Sequence, residues 1–553
     1  MIVLKTISPL EKCFLDDDIA AKAPYGEGSA LRADRLSYQI CLYDDGVAPR
    51  GAAAKTVCHA RIDSPVADWV RLSRVCHVPS ELPVFPDRCD RHYLRTDPGL
   101  YPDLLLPLSR NPNIYIVPHQ LHSLWVDVCV PEDAVPGQYE IAVTLQDRSS
   151  GVDVGTSVFT LTVCQTVLPE QKLLYTQWFH CDCLANYYNV ETFSPEHWRI
   201  IGNFLKTAVD NGINVILTPV FTPPLDTAVG HNRRTQQLVD IVCENGGYTF
   251  DFTRLGQWID LCRSAGIHHF EIPHLFTQWG ARHAPQIIAY VDGKLQQIFG
   301  WDTPAVGGAY TAFLQEFLPR LRAFLRAKGV EENCIFHISD EPNAQQLDDY
   351  RRARDSVAHV LAGCHVIDAL SDYDFYASGT VAHPVVGIDH IQPFLSNAVD
   401  GLWAYTCCAQ CVEVSNRFLA MPSARNRILG VQLFRHRICG FLQWGYNYYN
   451  NQYSLSPIDP YRTTDAEFFV PSGDAFSVYP APDGTAYETI HLAVFSQALR
   501  DLRALQALAE RIGGEQVDAL IDSCAGMPVT FTAYPHEDAF LLQLRQTVNR
   551  LLG

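Results

Sequence analysis

Eight short apolar runs alternate with helical patterns between residues 172 and 446. Apolar strands that alternate with helices predict a parallel sheet that is buried on both faces. Eight such strands over roughly 270 residues fit one closed (β/α)8 barrel. The predicted strands are Leu173–His180, Ile213–Phe221, His268–Phe276, Cys334–Asp340, His365–Leu370, Gly387–Pro393, Leu402–Cys407 and Gly440–Tyr446.

Helical spacing is clearest in two of the connecting segments. Ser194 is suited to cap a helix, and apolar residues then recur at helical intervals as far as Val209. Phe313 to Ala327 shows the same spacing. The connection from the sixth to the seventh strand is too short for a full helix, so we expect an irregular barrel.

The segments on either side of the predicted barrel differ from it in their pattern of apolar and polar residues. Polarity alternates in Ser123–Val130, Gln138–Leu145 and Thr156–Val163, which predicts a β-sandwich. After the barrel, a loop-rich span precedes amphipathic helices in Tyr487–Ile512 and His536–Leu552. The predicted fold is therefore multidomain: a β-sandwich (1–168), a TIM-like (β/α)8 barrel (169–475) and a C-terminal helical extension packed on the barrel (476–553).

The net charge and the distribution of apolar residues argue against two classes of binding partner, nucleic acids and membranes. The 42 basic and 61 acidic residues give a formal net charge of −19, which argues against nucleic-acid and anionic-membrane partners. No run of about 18 apolar residues could span a membrane. The first 18 residues lack the apolar core of a secretory signal, and the 18 cysteines are most simply reduced thiols, so we expect a cytoplasmic protein.

The fourth predicted strand ends in the adjacent carboxylates Asp340 and Glu341, followed at once by Pro342. Catalytic groups of (β/α)8 barrels sit at the carboxyl ends of the strands, so this pair is the leading candidate for acid–base chemistry. The alternative interpretation is a polar helix start, because acidic residues also favour a helix N-terminus.

Aromatic and polar side chains gather at the other predicted strand ends. Flat rings beside amides, imidazoles and carboxylates suit a sugar, which has a CH-rich face and a rim of hydroxyls. The alternative is that the rings only line the barrel mouth or contact the N-terminal domain. The predicted sugar-binding residues are Trp178, His180, Asp182, His274, Trp279, Trp403, Tyr405, Trp444, Tyr446 and Asn447.

Motifs for other chemistries are missing from the sequence. Four histidines near the predicted strand ends have no HExxH spacing: His180, His274, His337 and His390. The cysteines around positions 181 and 407 do not form two spaced CxxC pairs. No GxSxG motif and no phosphate-binding glycine loop is present. We therefore predict no metal and no cofactor.

Several motifs together resemble glycoside hydrolase family 123. They are WFHCDCLANYY from Trp178, GINVILTPVFTPPLDT from Gly212, the Asp340–Glu341 pair, and GFLQWGYNYYNNQ with GDAFSVYPAPDG further on. The likeness covers most of residues 100–505. It implies a sandwich followed by a (β/α)8 catalytic domain, and a retaining exo-β-N-acetylgalactosaminidase that acts on small oligosaccharides or glycosides.

The resemblance also implies roles for the two adjacent acids. Glu341 would be the general acid/base, and Asp340 would orient the 2-acetamido group of the substrate for attack on the anomeric carbon. Substrate assistance removes the need for carboxyl groups about 5–5.5 Å apart across the bond. It also asks for a split pair, with Glu341 protonated and Asp340 ionised.

Two alternatives remain open at this point. One is a glycosidase of different specificity, in which the pair works with a distant carboxylate such as Asp182. The other is a non-catalytic carbohydrate-binding or scaffold protein. The sequence leaves the linkage, the aglycone preference and the oligomeric state undetermined.

Overall fold

The computed structural model describes residues 2–46 and 55–553. Residues 1 and 47–54 of the predicted N-terminal domain lie outside the described residues. The N-terminal part is β-rich, as predicted. Its strands are β1 (Ile2–Ile7), β2 (Glu27–Arg32), β3 (Asp34–Asp44), β4 (Thr56–Asp63), β5 (Val70–Ser80), β6 (Gly99–Pro107), β7 (Ile114–Ile116), β8 (His122–Val130), β9 (Gly137–Asp147) and β10 (Asp153–Val167).

These ten strands form two five-stranded sheets. Their orders are β1-β3-β8-β5-β6 and β2-β10-β9-β4-β7. The strands alternate in polarity, so each sheet turns one apolar face inward. Ile40 and Val126 from the first sheet share one buried cluster with Ile141 and Phe159 from the second. This shared core holds the two sheets face to face.

Eight parallel strands then close into a barrel, which confirms the predicted strand number and direction. Two hairpins inserted after the second and third of these strands form a separate four-stranded sheet. The barrel strands are β11 (Leu174–Gln177), β12 (Val215–Leu217), β15 (His269–Glu271), β18 (Cys334–Phe336), β19 (His365–Leu370), β20 (His383–Gly387), β21 (Trp403–Thr406) and β22 (Gly440–Gln443). The inserted hairpins are β13 (Asp240–Glu244) with β14 (Gly247–Asp251), and β16 (Ile287–Val291) with β17 (Lys294–Phe299).

Helices lie between the barrel strands and after them. A two-stranded pair, β23 (Tyr479–Pro480) and β24 (Ala486–Tyr487), precedes the last three helices. The helices are α1 (Cys181–Tyr187), α2 (Pro195–Asp210), α3 (Thr253–Ala265), α4 (Gly308–Ala327), α5 (Leu347–Val357), α6 (Asp374–Ala377), α7 (Gln392–Ser396), α8 (Ser423–Arg435), α9 (Ile490–Ile512), α10 (Gly514–Ala525) and α11 (Asp538–Leu552). None of the helices in residues 2–46 and 55–553 has the length and apolar content that a membrane span requires.

The helix predicted from Ser194 is present as α2. The Ser194 hydroxyl accepts a hydrogen bond from the His197 N–H, and Pro195 occupies the first turn. The apolar stripe that includes Ile201 and Leu205 is buried against the barrel core. The short connection between the sixth and seventh strands holds only the five-residue α7, as expected for an irregular barrel.

One predicted strand was misplaced, and most of the others end earlier than predicted. The sixth strand is His383–Gly387 and not Gly387–Pro393, because Pro393 lies in the first turn of α7, where proline is favoured. The fourth strand ends at Phe336 and not at Asp340. Beyond Phe336 the backbone still bonds its neighbour, since the Phe276 N–H donates to the Ile338 carbonyl at 3.0 Å.

Helices α8 and α9 pack unusually closely at Gly430. A Cβ at this position would lie 2.0 Å from the Ala498 carbonyl oxygen, so only glycine permits the crossing. Gly202, also inside a helix, has a neighbour no nearer than 3.4 Å, the Leu261 Cδ1.

We therefore expect Gly430→Ala to lower the free energy of unfolding by at least about 2 kcal/mol, because the two helices must separate. Gly202→Ala, the matched control, should raise it by about 0.5–1 kcal/mol through helix propensity. Urea denaturation of both variants measures the difference. Equal stability of the two variants would contradict the close crossing.

Candidate active site

The segment after β18 carries the two adjacent acids to the carboxyl end of the barrel. The Leu275 N–H donates to the His337 carbonyl at 3.2 Å, and the Phe276 N–H donates to the Ile338 carbonyl at 3.0 Å. Glu341 has a φ of +42°, a left-handed conformation that side chains other than glycine adopt at some cost. Asp340 and Glu341 both line a cavity at this rim. The prediction that a paired acid lies at this end of the barrel therefore matches the structure.

The walls of this cavity combine aromatic rings with polar groups and a few aliphatic side chains. Such a mixture is typical of a site that stacks and hydrogen-bonds a small polar ligand. The aromatic residues of the lining are Trp178, Trp279, Tyr405, Trp444, Tyr448 and Phe469. The polar residues of the lining are His180, Asp226, Gln278, Asp340, Glu341 and Thr406.

Seven of the residues predicted from sequence are brought together in this lining. They come from the ends of different strands, which meet at one rim because the strands are parallel. They are Trp178, His180, Trp279, Asp340, Glu341, Tyr405 and Trp444.

Three other predicted residues are buried away from the cavity. Trp403 begins β21 and packs inside the barrel, where a Cβ on Gly440 would lie 2.0 Å from its ring. The Tyr446 hydroxyl donates to the Phe204 carbonyl at 2.9 Å. His274 lies behind Trp178, with ring centres 5.6 Å apart. The structure therefore does not place these three where a ligand in the cavity would touch them.

Asp182 and Asn447 are also buried, and both position His180. Asn447 accepts the His180 N–H at 2.9 Å and donates to its carbonyl at 3.0 Å. Asp182 forms a two-point ion pair with Arg233 at 2.8 and 2.9 Å, and Arg233 lies 3.1 Å from His180 Nδ1. Burial and the Arg233 charge lower the pKa of His180 to about 3, so its ring is neutral.

Sequence reasoning missed several residues of the lining. Asp226 follows the second strand in the PPLDT run, and Gln278 lies between two residues already noticed at the third strand. The same signal, polar residues just past an apolar strand, could have found both. Phe469 comes from the loop-rich span after the barrel, where no periodicity marks it.

The two adjacent acids have different partners. The Tyr405 hydroxyl donates to Glu341 Oε1 at 2.6 Å. Within the described residues no group hydrogen-bonds the Asp340 carboxylate, which leaves both of its oxygens open to a ligand.

The cavity walls remove part of the water around both acids and so raise the pKa of each. Repulsion from Glu341 raises the pKa of Asp340 further, well above its usual range, although His337 opposes this. The Tyr405 hydrogen bond partly offsets the rise in the pKa of Glu341. Because the charge of one acid acts on the other, the two titrate as a pair.

A buried network of charged groups lies beneath the pair. Glu271 Oε1 is 2.8 Å from His337 Nε2 and accepts the Trp178 indole N–H at 2.7 Å. On the other side of the imidazole, Asp368 lies 3.5 Å from Nδ1 and accepts the Tyr350 hydroxyl. Burial alone would lower the pKa of His337, but the contacts with Asp368 and Glu271 outweigh it and raise the pKa to about 9.

Among the described residues, one group has donor atoms that could surround a metal ion. His274, His337 and Asp368 place them within 4.8 Å of one another. A pKa of about 9 keeps both nitrogens of His337 protonated at neutral pH, so metal binding there would first require loss of a proton.

Two adjacent acids thus lie in a cavity with aromatic rings at the carboxyl rim of a parallel barrel, where the active sites of barrel enzymes lie. The family model described as "Glycoside hydrolase 123, catalytic domain" matches residues 178–508. The chain therefore belongs to glycoside hydrolase family 123.

One solved structure supports the fold. A family 123 glycoside hydrolase from Clostridium perfringens, described in terms of glycolipid glycan hydrolysis, matches with a TM-score of 0.73 at 16% identity. The match covers 100% of this chain and 97% of that one. A β-glucuronidase from Bacteroides uniformis matches with a TM-score of only 0.28 at 12% identity, over 83% of this chain and 48% of its own. No curated protein matches the chain.

The charged network predicts a pH-dependent contribution to stability. A histidine whose pKa rises from 6.5 to about 9 on folding stabilises the protein fully below pH 6.5 and loses this effect as the pH rises through about 9. We expect His337→Gln to cost about 3 kcal/mol at pH 6 and much less at pH 9.5. Urea denaturation at the two pH values measures the change.

The control for this experiment is His359→Gln, which removes an exposed histidine. Its effect on the free energy of unfolding should be small and the same at both pH values. A cost of His337→Gln that is independent of pH would show that the buried imidazole is neutral.

Proposed function

We propose that the chain is a retaining exo-β-N-acetylgalactosaminidase that uses the 2-acetamido group of its substrate as the nucleophile. The observation that carries this proposal is the open Asp340 carboxylate beside a Glu341 that is already hydrogen-bonded by Tyr405. Adjacent residues cannot flank a glycosidic bond from opposite sides, as a direct retaining mechanism requires. A nucleophile supplied by the substrate removes that requirement.

Asp340 accepts the acetamido N–H in this mechanism. The contact turns the acetamido carbonyl oxygen toward the anomeric carbon and stabilises the positive charge of the oxazolinium-like intermediate. The imidazolium of His337 favours the ionised form of Asp340. Binding of the N–H stabilises the same ionised form and therefore favours the proton on Glu341.

Glu341 acts as the general acid and then as the general base. It donates its proton to the leaving glycosidic oxygen as the carbonyl oxygen attacks. It then takes a proton from the water that opens the intermediate, and the configuration at the anomeric carbon is retained. These steps require no cofactor.

The cavity walls supply the sugar contacts in this proposal. The Trp178 and Trp444 rings lie where the apolar face of a pyranose can stack, and Asp226 with Gln278 can bind hydroxyls. The substrate is then a terminal sugar of a small oligosaccharide or glycoside. Because the Clostridium perfringens enzyme is described with glycolipid glycans, glycans of that kind belong in the first substrate screen.

A second candidate function rests on Asp226. This third carboxylate lines the cavity, whereas Asp182, the distant partner considered from sequence, is buried against Arg233. With Glu341 as acid/base, Asp226 could serve as a direct nucleophile on a sugar without an acetamido group. Inhibition by an acetamido-derived thiazoline favours substrate assistance, and insensitivity with turnover of plain galactosides favours Asp226.

Asp340→Asn and Glu341→Gln should separate the two roles. With para-nitrophenyl β-N-acetylgalactosaminide we expect Asp340→Asn to lower kcat/KM by roughly 10²–10³-fold, because orientation and charge stabilisation are lost. Glu341→Gln should also lose roughly 10²–10⁴-fold in turnover. Azide needs no deprotonation, so it should restore turnover in Glu341→Gln and form the β-azide, without rescuing Asp340→Asn.

The glucosamine and plain galactose analogues are run beside this substrate. Asp348→Asn, whose side chain is 94% exposed, is the matched control and should keep full activity. Wild-type activity on the plain galactoside that exceeds activity on the acetamido sugars would overturn the proposal.

Tyr405→Phe tests the hydrogen bond to Glu341. Loss of the hydroxyl removes a donor to the carboxylate and so raises the pKa of Glu341 further. The basic limb of the kcat/KM profile should therefore move to higher pH, by up to about one unit. Tyr290→Phe, on the inserted hairpin, should leave the profile unchanged; an unmoved profile in Tyr405→Phe would argue against Glu341 as the acid.

A further inference from the structure

Two neighbouring cysteines in the cavity wall have no part in the proposed chemistry. β21 ends at Thr406, and Cys407 and Cys408 follow it directly. Both line the same cavity as the two acids. Tyr405, two residues before Cys407, donates its hydroxyl to Glu341, so both thiols follow the residue that holds the proposed acid/base.

The backbone around the two thiols is held firmly. The Cys407 N–H donates to Gln410 Oε1 at 2.8 Å. Asn416 donates to the carbonyls of Cys407 and Gln410, both at 2.8 Å. Because the two cysteines are adjacent in the chain and both line the cavity, one ligand in it can reach both thiols.

We propose that Cys407 and Cys408 form a vicinal dithiol site for soft, thiophilic ligands, of which trivalent arsenicals are the class best matched. An organic arsenoxide, R–As=O, reacts with both thiols. Two S–H bonds and the As=O bond break, two As–S bonds form, and the oxygen leaves with both protons as water. Arsenic remains trivalent, so the reaction needs no oxidant.

Other cysteines offer a poorer site of this kind. Cys13 and Cys41 have sulfur atoms 3.3 Å apart, but both are buried and neither lines this cavity. Cys183 is buried and its sulfur accepts hydrogen bonds from Tyr449 and Asn450. Cys407 and Cys408, in contrast, are adjacent in the chain and line a cavity that a ligand can enter.

Occupation of the site would obstruct the proposed sugar site. The arsenical would stand beside Glu341 and in front of the wall that includes Trp444. This consequence rests on the proposed function, because it is measured as loss of glycosidase activity. Binding itself does not depend on any activity.

The test uses the whole chain with one equivalent of phenylarsine oxide. Native mass spectrometry should show one adduct, which Cys407→Ser and Cys408→Ser each abolish and an excess of 1,2-ethanedithiol removes. The control Cys439→Ser, at an exposed thiol, should keep the adduct. An adduct that persists in both cavity variants overturns the proposal, and so does the absence of any adduct.

The activity arm is read separately. Turnover of the best para-nitrophenyl glycoside should fall at least tenfold as the adduct forms and return with the dithiol. Full turnover in the adduct would show that the ligand does not reach the sugar site. If no glycoside is turned over at all, the proposed function fails, while the mass measurement still decides the dithiol site.

Discussion

The ion pair between Glu271 and His337 is the interaction on which the site depends. Two carboxylates, Glu271 and Asp368, are buried in the barrel interior, and their charges can be tolerated there only with a cation between them. His337 supplies it. Glu271 in turn fixes Trp178 from the first strand, and Asp368 fixes the backbone at Ile338, which leads to the acid pair. Removal of one partner would leave a buried charge unpaired, at a cost of several kcal/mol.

The same network sets the electrostatics of the cavity. Asp340 and Glu341 lie next to each other in the cavity, where loss of surrounding water raises the pKa of both, and the charge of Glu341 raises the pKa of Asp340 further. The imidazolium of His337 favours charge on Asp340, while the Tyr405 hydroxyl favours charge on Glu341. Which acid carries the charge in a complex therefore depends on the polar contacts that the ligand makes with each of them.

Where sequence reasoning succeeded, the signal was local. An apolar strand followed by Asp340 and Glu341 requires only neighbours in the chain, and so does the capped helix from Ser194. It failed for aromatic residues whose direction, toward the rim or into the protein, the sequence pattern does not fix. Trp403 and Tyr446 look like rim aromatics, but Trp403 begins its strand and Tyr446 reaches back to the Phe204 carbonyl. The sixth strand was misplaced because one apolar run spans a strand and a proline-started helix.

The amino-acid sequence by itself determined the β-rich N-terminal part, the eight parallel strands, the family and the position of the acid pair, because periodicity and adjacent residues record these. Only the tertiary structure decided that Tyr448 and Phe469 line the cavity, and that Asp182 forms an ion pair with Arg233. It also decided that His337 is a buried cation between two carboxylates. Contacts of this kind join residues far apart in the chain, and their charge states depend on burial that exists only once the barrel has closed.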